Sequence, residues 1–123
     1  MTLYLFTLLN LCDRKGKMKL PKTVKVGGHK YKVVLPYIFK ERFDSYAQHD
    51  YAMKEIRVMG VDSGGQEMAE SGIIVTFIHE LLHAVDLTTG HQVFTDNEPA
   101  INGFSECIYQ ILVDNGWLKK GTK

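Results

Sequence analysis

His79, Glu80 and His83 form a His-Glu-Leu-Leu-His run within the apolar stretch 76–86. On an α-helix, residues four apart stack on one face about one turn from each other, so the two imidazoles can offer ring nitrogens to a single ion. Glu80 lies about 100° round the helix from His79, close enough to hold a water on that ion without being a ligand itself. Its chemistry is then that of a general base. A bare His-x-x-x-His pair is more often an ordinary pair of helix residues. Here Ile73, Ile74, Phe77, Ile78, Leu81, Leu82 and Val85 follow the i, i+3, i+4 pattern, which makes 69–88 a helix buried along a wide stripe. Gly72, Thr76, His79, His83 and Asp86 share the other stripe. Two imidazoles on a half-buried helix are costly without a partner, and a metal ion satisfies them.

Such a helix needs a scaffold, and the preceding sequence reads as strands. Thr23 to Val26 alternates, Gly27-Gly28 is a two-residue hairpin signal, and Lys30 to Leu35 alternates before turning apolar. Pro36 opens a short segment in which residues 37–42 are compatible with a helical turn or two. A second pair of strands is expected at 45–49 and 55–59, and 60–67 is a loop by composition. Gly90 caps the metal-motif helix in a left-handed conformation. Asn97-Glu98-Pro99 starts a second helix running to 115, with Ile101, Phe104, Ile108, Ile111 and Leu112 as its apolar stripe. The expected fold class is α+β: a small antiparallel sheet, made of hairpins within 23–59, packed on two helices at 69–88 and 97–115.

A catalytic zinc takes a third protein ligand and leaves a fourth position for water. Glu98 and Glu106 are the candidates on the second helix, with His91 and Asp86 as outsiders. Measured from Glu98, the apolar residues lie at about −40° to −140° and Glu106 at about +80°, so Glu98 flanks the buried face and is preferred. Asn102 shares the Glu98 stripe one turn on, where its side chain can steady a ligand imidazole.

Length and composition bound the remainder. A chain of 123 residues with 45% hydrophobic content suits one domain with one modest core, taken as 18–118 with 119–123 as a tail. Fifteen Lys and Arg against fourteen Asp and Glu give a net charge of +1, so no nucleic acid and no anionic membrane is expected as a partner. Cys12 and Cys107 are far apart and form no Cys-x-x-Cys pair. Free thiols in a reducing, cytoplasmic compartment are expected, although a single disulfide is compatible with the same spacing. Residues 1–12 are apolar, too short to span a bilayer, and lack the basic opening of a secretory signal. Residues 13–17, followed by Met18, can all be encoded by purine-rich codons of the kind found in ribosome-binding sites. Met18 is therefore read as the natural start and 1–17 as a translated leader. An added helix docked on the core and a membrane anchor are the alternatives.

The His79-Glu80-Leu81-Leu82-His83 run followed by Asn97-Glu98-Pro99-Ala100-Ile101-Asn102 resembles the gluzincin metallopeptidases, in which an Asn-Glu pair on the next helix delivers the glutamate ligand. Thermolysin-like members commonly place an aspartate where this chain has Asn102. The strands-then-two-helices layout is similar to minimal gluzincins and to small phage-borne or prophage-borne metallopeptidase-like proteins. The resemblance implies one zinc per chain held by His79, His83 and Glu98, with Glu80 as the base for hydrolysis of a peptide or protein substrate. An extended substrate would pair along a sheet edge at 55–59. His49, Tyr51 and His91 are possible oxyanion or substrate contacts, though each reads more simply as a solvated loop residue. Two other functional readings stand beside this one. One is a non-catalytic, zinc-stabilised binding module acting on a regulatory protein partner. The other is a latent protease whose cleft is covered by its own terminal segment.

Overall fold

A computed structural model describes residues 20–35, 47–61, 64–94 and 96–118. The first hairpin pairs β1 (Thr23–Val26) with β2 (His29–Val34), antiparallel, with Val24 opposite Tyr31. Its turn requires glycine twice over. Gly27 has φ +60°, and a Cβ there would stand 2.5 Å from Thr88 Cγ2 at the far end of the helix bearing the histidines. The second hairpin pairs β3 (Ala47–Asp50) with β4 (Glu55–Val58), also antiparallel, with His49 opposite Ile56.

The two hairpins join differently from the all-antiparallel sheet expected. The strand order is β1-β2-β4-β3, and the central β2–β4 pair is parallel, with Val33 opposite Ile56. Burial accounts for the order. Ile56 and Val58 of β4 are fully buried, whereas β3 (Ala-Gln-His-Asp) has too little apolar surface for a central place. The stretch expected to offer a free edge, 55–59, is therefore interior. Among the described residues β3 is the edge on that side of the sheet.

The two helices are α1 (Glu70–Thr89) and α2 (Glu98–Asp114). Ile73, Ile74, Phe77, Ile78 and Ala84 of α1 share one core with Val24, Val26, Tyr31, Val33, Ala47, Ile56 and Val58 of the sheet. The architecture is thus α+β, a four-stranded mixed sheet and two helices. By length and a mean hydropathy of 1.2, α1 could cross a membrane, but Ile73, Ile74, Phe77 and Ile78 are turned into this core. Val85, which the periodicity places on the buried stripe, is exposed. At the C-terminus of α1, the Gly90 N–H (φ 76°) donates to the Asp86 and Leu87 carbonyls, the left-handed cap expected.

Helix α2 packs on α1. Ile101 and Ser105 are buried and Ile108, Tyr109, Leu112 and Val113 are partly buried against the core, while Phe104 (55% exposed) and Ile111 stand on the flank. Relative to Glu98 that face centres near about −20°, closer to Glu98 than the stripe read from the sequence. Ser105 is fully buried where the helices meet, and its hydroxyl donates to the Ile101 carbonyl at 2.7 Å. Cys107 is exposed and forms no disulfide among the described residues. The expected leader 1–17 with Cys12, the turn at 37–42 and the tail 119–123 lie outside the described residues.

Candidate metal centre

Helix geometry brings His79 and His83 side by side, with ring centroids 4.9 Å apart and planes at 65°. Glu98 reaches them from the first turn of α2. Its Oε2 lies 3.1 Å from His79 Nε2 and its Oε1 lies 3.2 Å from His83 Nε2, so one carboxylate faces both rings. One ligand atom from each of the three residues falls within 4.8 Å of the others, and the group could hold a metal ion. The donor set fits a metal ion by its chemistry: two imidazole nitrogens and a carboxylate oxygen are ligand types that zinc takes, and they converge at one place.

The second helix supplies this third group because its start is well defined. Asn97 Oδ1 accepts the Ala100 N–H at 3.3 Å, and Pro99 sits in the first turn, where its missing N–H costs nothing. The rotation of α2 brings Glu98 and Asn102 to the imidazoles of α1, and Glu106 is not part of the convergent group. Glu98, not Glu106, is the glutamate brought to the imidazoles. The side chain of Asn102 approaches His79, where its hydrogen bonding favours the protonated ring.

Glu80 is set apart from this group. It is 8% exposed, its Oε2 stands 3.9 Å from His79 Nε2, and among the described residues no donor hydrogen-bonds to its carboxylate. Burial, helped by the negative charge of Glu98, pushes its pKa up to about 7. His79 shifts the other way: burial lowers its pKa, against the attraction of Glu98. Both shifts favour neutral side chains, as expected of groups withdrawn from water with few partners.

These residues line an open cleft of about 450 Å³ whose other wall is β3, through Ala47, Gln48 and His49. Among the three contact residues suggested by the sequence, His49 lines the cleft and Tyr51 and His91 do not. Tyr51 stands in the β3–β4 turn, its ring 6.2 Å from that of His49, and His91 is exposed in the connection between the helices. His49 Nε2 lies 3.4 Å from the hydroxyl of Tyr31, a fully buried residue of β2. Burial and the nearby His83 lower the His49 pKa. Sequence reasoning missed Tyr31, Ala47 and Gln48. The alternation that puts Ala47 and His49 on one face of β3 was readable, but the place of β3 beside α1 was not.

Asp86, weighed from the sequence as an outside candidate for the third ligand, has a different occupation. Its two oxygens accept the backbone N–H groups of Val93 at 2.6 Å and Phe94 at 2.9 Å. It does not belong to the convergent group. No family model, curated protein or solved structure shows significant similarity to this chain.

Proposed function

We propose that this protein is a zinc-dependent metallopeptidase of gluzincin type, with His79, His83 and Glu98 as metal ligands and Glu80 as general base. The observation that carries the reading is the division of labour between the two carboxylates. Glu98 faces both imidazole nitrogens, whereas Glu80 is close by, buried and, among the described residues, without a hydrogen-bond donor. A structural zinc site normally fills all four positions with protein groups and has no use for such a neighbour. Among the described residues three ligand groups converge.

When bound, zinc supplies Lewis-acid polarisation of the scissile carbonyl and acidifies a water molecule. Glu80 removes the proton from the attacking water and delivers it to the departing amine nitrogen. Its carboxyl, raised toward neutral pH by burial, suits a group that must both accept and return a proton. Asn102 steadies the His79 ring. His49, on the opposite wall of the cleft, contacts the substrate or its developing oxyanion. An extended peptide lies along the β3 edge, which borders the cleft, in place of the interior strand β4. The wide spacing of Cys12 and Cys107 fits a reducing compartment, the cytoplasm of a bacterial or phage-infected cell.

A second reading, a zinc-stabilised binding module for a regulatory protein, draws on the exposed apolar side chains Val93, Phe104 and Trp117. Glu80→Gln separates the two. The variant keeps size and polarity but lacks the base, so a peptidase loses at least about 10²-fold in turnover on any peptide that the wild type cleaves, with zinc binding retained. Wild-type protein that carries zinc but cleaves nothing across a broad peptide library would favour the binding module.

A further inference from the structure

We propose that Asp86 is a positioning residue for the metal centre, holding the connection between the helices so that Glu98 enters the site at the right place. The proposal rests on reading the His79, His83 and Glu98 group as a metal centre. Its starting point is that Glu98 is poorly anchored by itself. Its side chain is 60% exposed, and it is the first residue of α2, so its position follows from where that helix begins.

The beginning of α2 is tied back to α1 through a short series of hydrogen bonds. The Asn97 N–H donates to the Phe94 carbonyl at 3.0 Å, and the Asn97 side chain caps the first turn. Phe94 and Val93 in turn donate their own N–H groups to the Asp86 carboxylate. Asp86 is three residues beyond His83 on the same helix, so the element bearing two ligands also bears the strut that places the third.

The connection has little preference of its own for this path. Gln92 and Asp96 adopt positive φ, 55° and 62°, although neither is glycine. A left-handed non-glycine residue is unfavourable, Gln92 more so than Asp96, so outside interactions help to impose the shape. The edge-to-face contact of Phe94 with Phe104, with centroids 5.3 Å apart, gives apolar support. Asp86 gives the directional support: its carboxylate is buried, and two charge-assisted bonds to backbone N–H groups are what make that burial tolerable. A carboxylate engaged on both oxygens within the protein acts through Glu98 and not as a ligand.

The test is a double-mutant cycle read by zinc affinity, using competition with a chromophoric chelator on the full chain, with circular dichroism to verify folding. Asp86→Ala should weaken zinc binding about 10–100-fold, the usual range for groups that orient ligands. In a Glu98→Ala background the same substitution should change affinity less than about twofold, because the residue it positions is gone. A merely structural role would produce equal losses in both backgrounds, and that result overturns the proposal. So does an Asp86→Ala protein that binds zinc like the wild type. Should Asp86→Ala fail to fold, Asp86→Asn, which retains one acceptor oxygen, takes its place in the cycle with the same criteria. Wild-type protein that binds no zinc would remove the metal centre itself, and the role of Asp86 with it. Zinc binding by the wild type with no dependence on Asp86 would remove only the positioning role.

Discussion

Glu80 should make the metal-free protein less stable as pH rises, and Glu80→Gln should abolish that loss. The folded state raises the carboxyl pKa to about 7 from an ordinary value of 4.5, through burial first and the charge of Glu98 second. Between those two values the folded protein holds more of the Glu80 proton than the unfolded chain does. Stability therefore falls as pH rises through this window. The stabilisation of the protonated form is fully present below about 4.5 and lost above about 7. A difference of about 2.5 pKa units at 1.36 kcal/mol per unit corresponds to about 3 kcal/mol, a substantial share of a small domain's total stability. In the presence of a chelator, the stability of Glu80→Gln relative to wild type should thus rise by about 2–3 kcal/mol between pH 5 and pH 8. The neutral amide carries its own desolvation cost, but that cost is the same at both pH values. Urea denaturation of both proteins at the two pH values measures the difference directly. A stability difference that does not change with pH would mean that the Glu80 carboxylate is solvated or hydrogen-bonded in the folded protein, and the argument for a withheld base would fall with it. The comparison also ties stability to function, since a base kept from water in the metal-free state is destabilising there.

Purified protein should contain about one zinc per chain, and His79→Ala or His83→Ala should lose most of it in elemental analysis, because a two-ligand remnant binds far more weakly. Chelation should lower Tm for the same protein, since the ion binds only the folded state. Glu98→Ala should weaken zinc binding strongly and Glu106→Ala should leave it nearly intact, with Asn102→Ala in between, about 10–100-fold weaker. The reverse order of Glu98 and Glu106 in a competition titration would contradict the observed rotation of α2. Ser105→Leu should cost about 1–3 kcal/mol in urea denaturation by overpacking the α1–α2 contact. It should also weaken zinc binding, because it pushes the helix bearing Glu98 away from the imidazoles.

Much of the site was readable because its determinants are local. The spacing of His79 and His83, the apolar period around them, the Gly90 stop and the Asn97-Glu98-Pro99 start all act within a turn or two of chain. Both hairpins were readable for the same reason, through alternation and the Gly27-Gly28 turn. The choice of Glu98 over Glu106 also followed from local periodicity. The rotation of α2 sharpened it, because Ser105 took a buried place and Phe104 moved to the flank, where it meets Phe94.

The sequence by itself thus determined the elements and the residues they carry, including a helix presenting two imidazoles and a carboxylate and a second helix opening with a glutamate. Tertiary structure alone decided how those elements meet. The parallel junction of β2 with β4 arose because two apolar strands compete for the centre of the sheet and the polar strand β3 loses. Losing put β3 at the edge, beside α1, and so brought His49 and Ala47 to the cleft. The occupation of Asp86 was decided in the same way, by the N–H groups of Val93 and Phe94 that the interhelical connection delivers to it. Local pattern specifies which face of an element is apolar. Which neighbour covers that face depends on the burial demands of every other element at once.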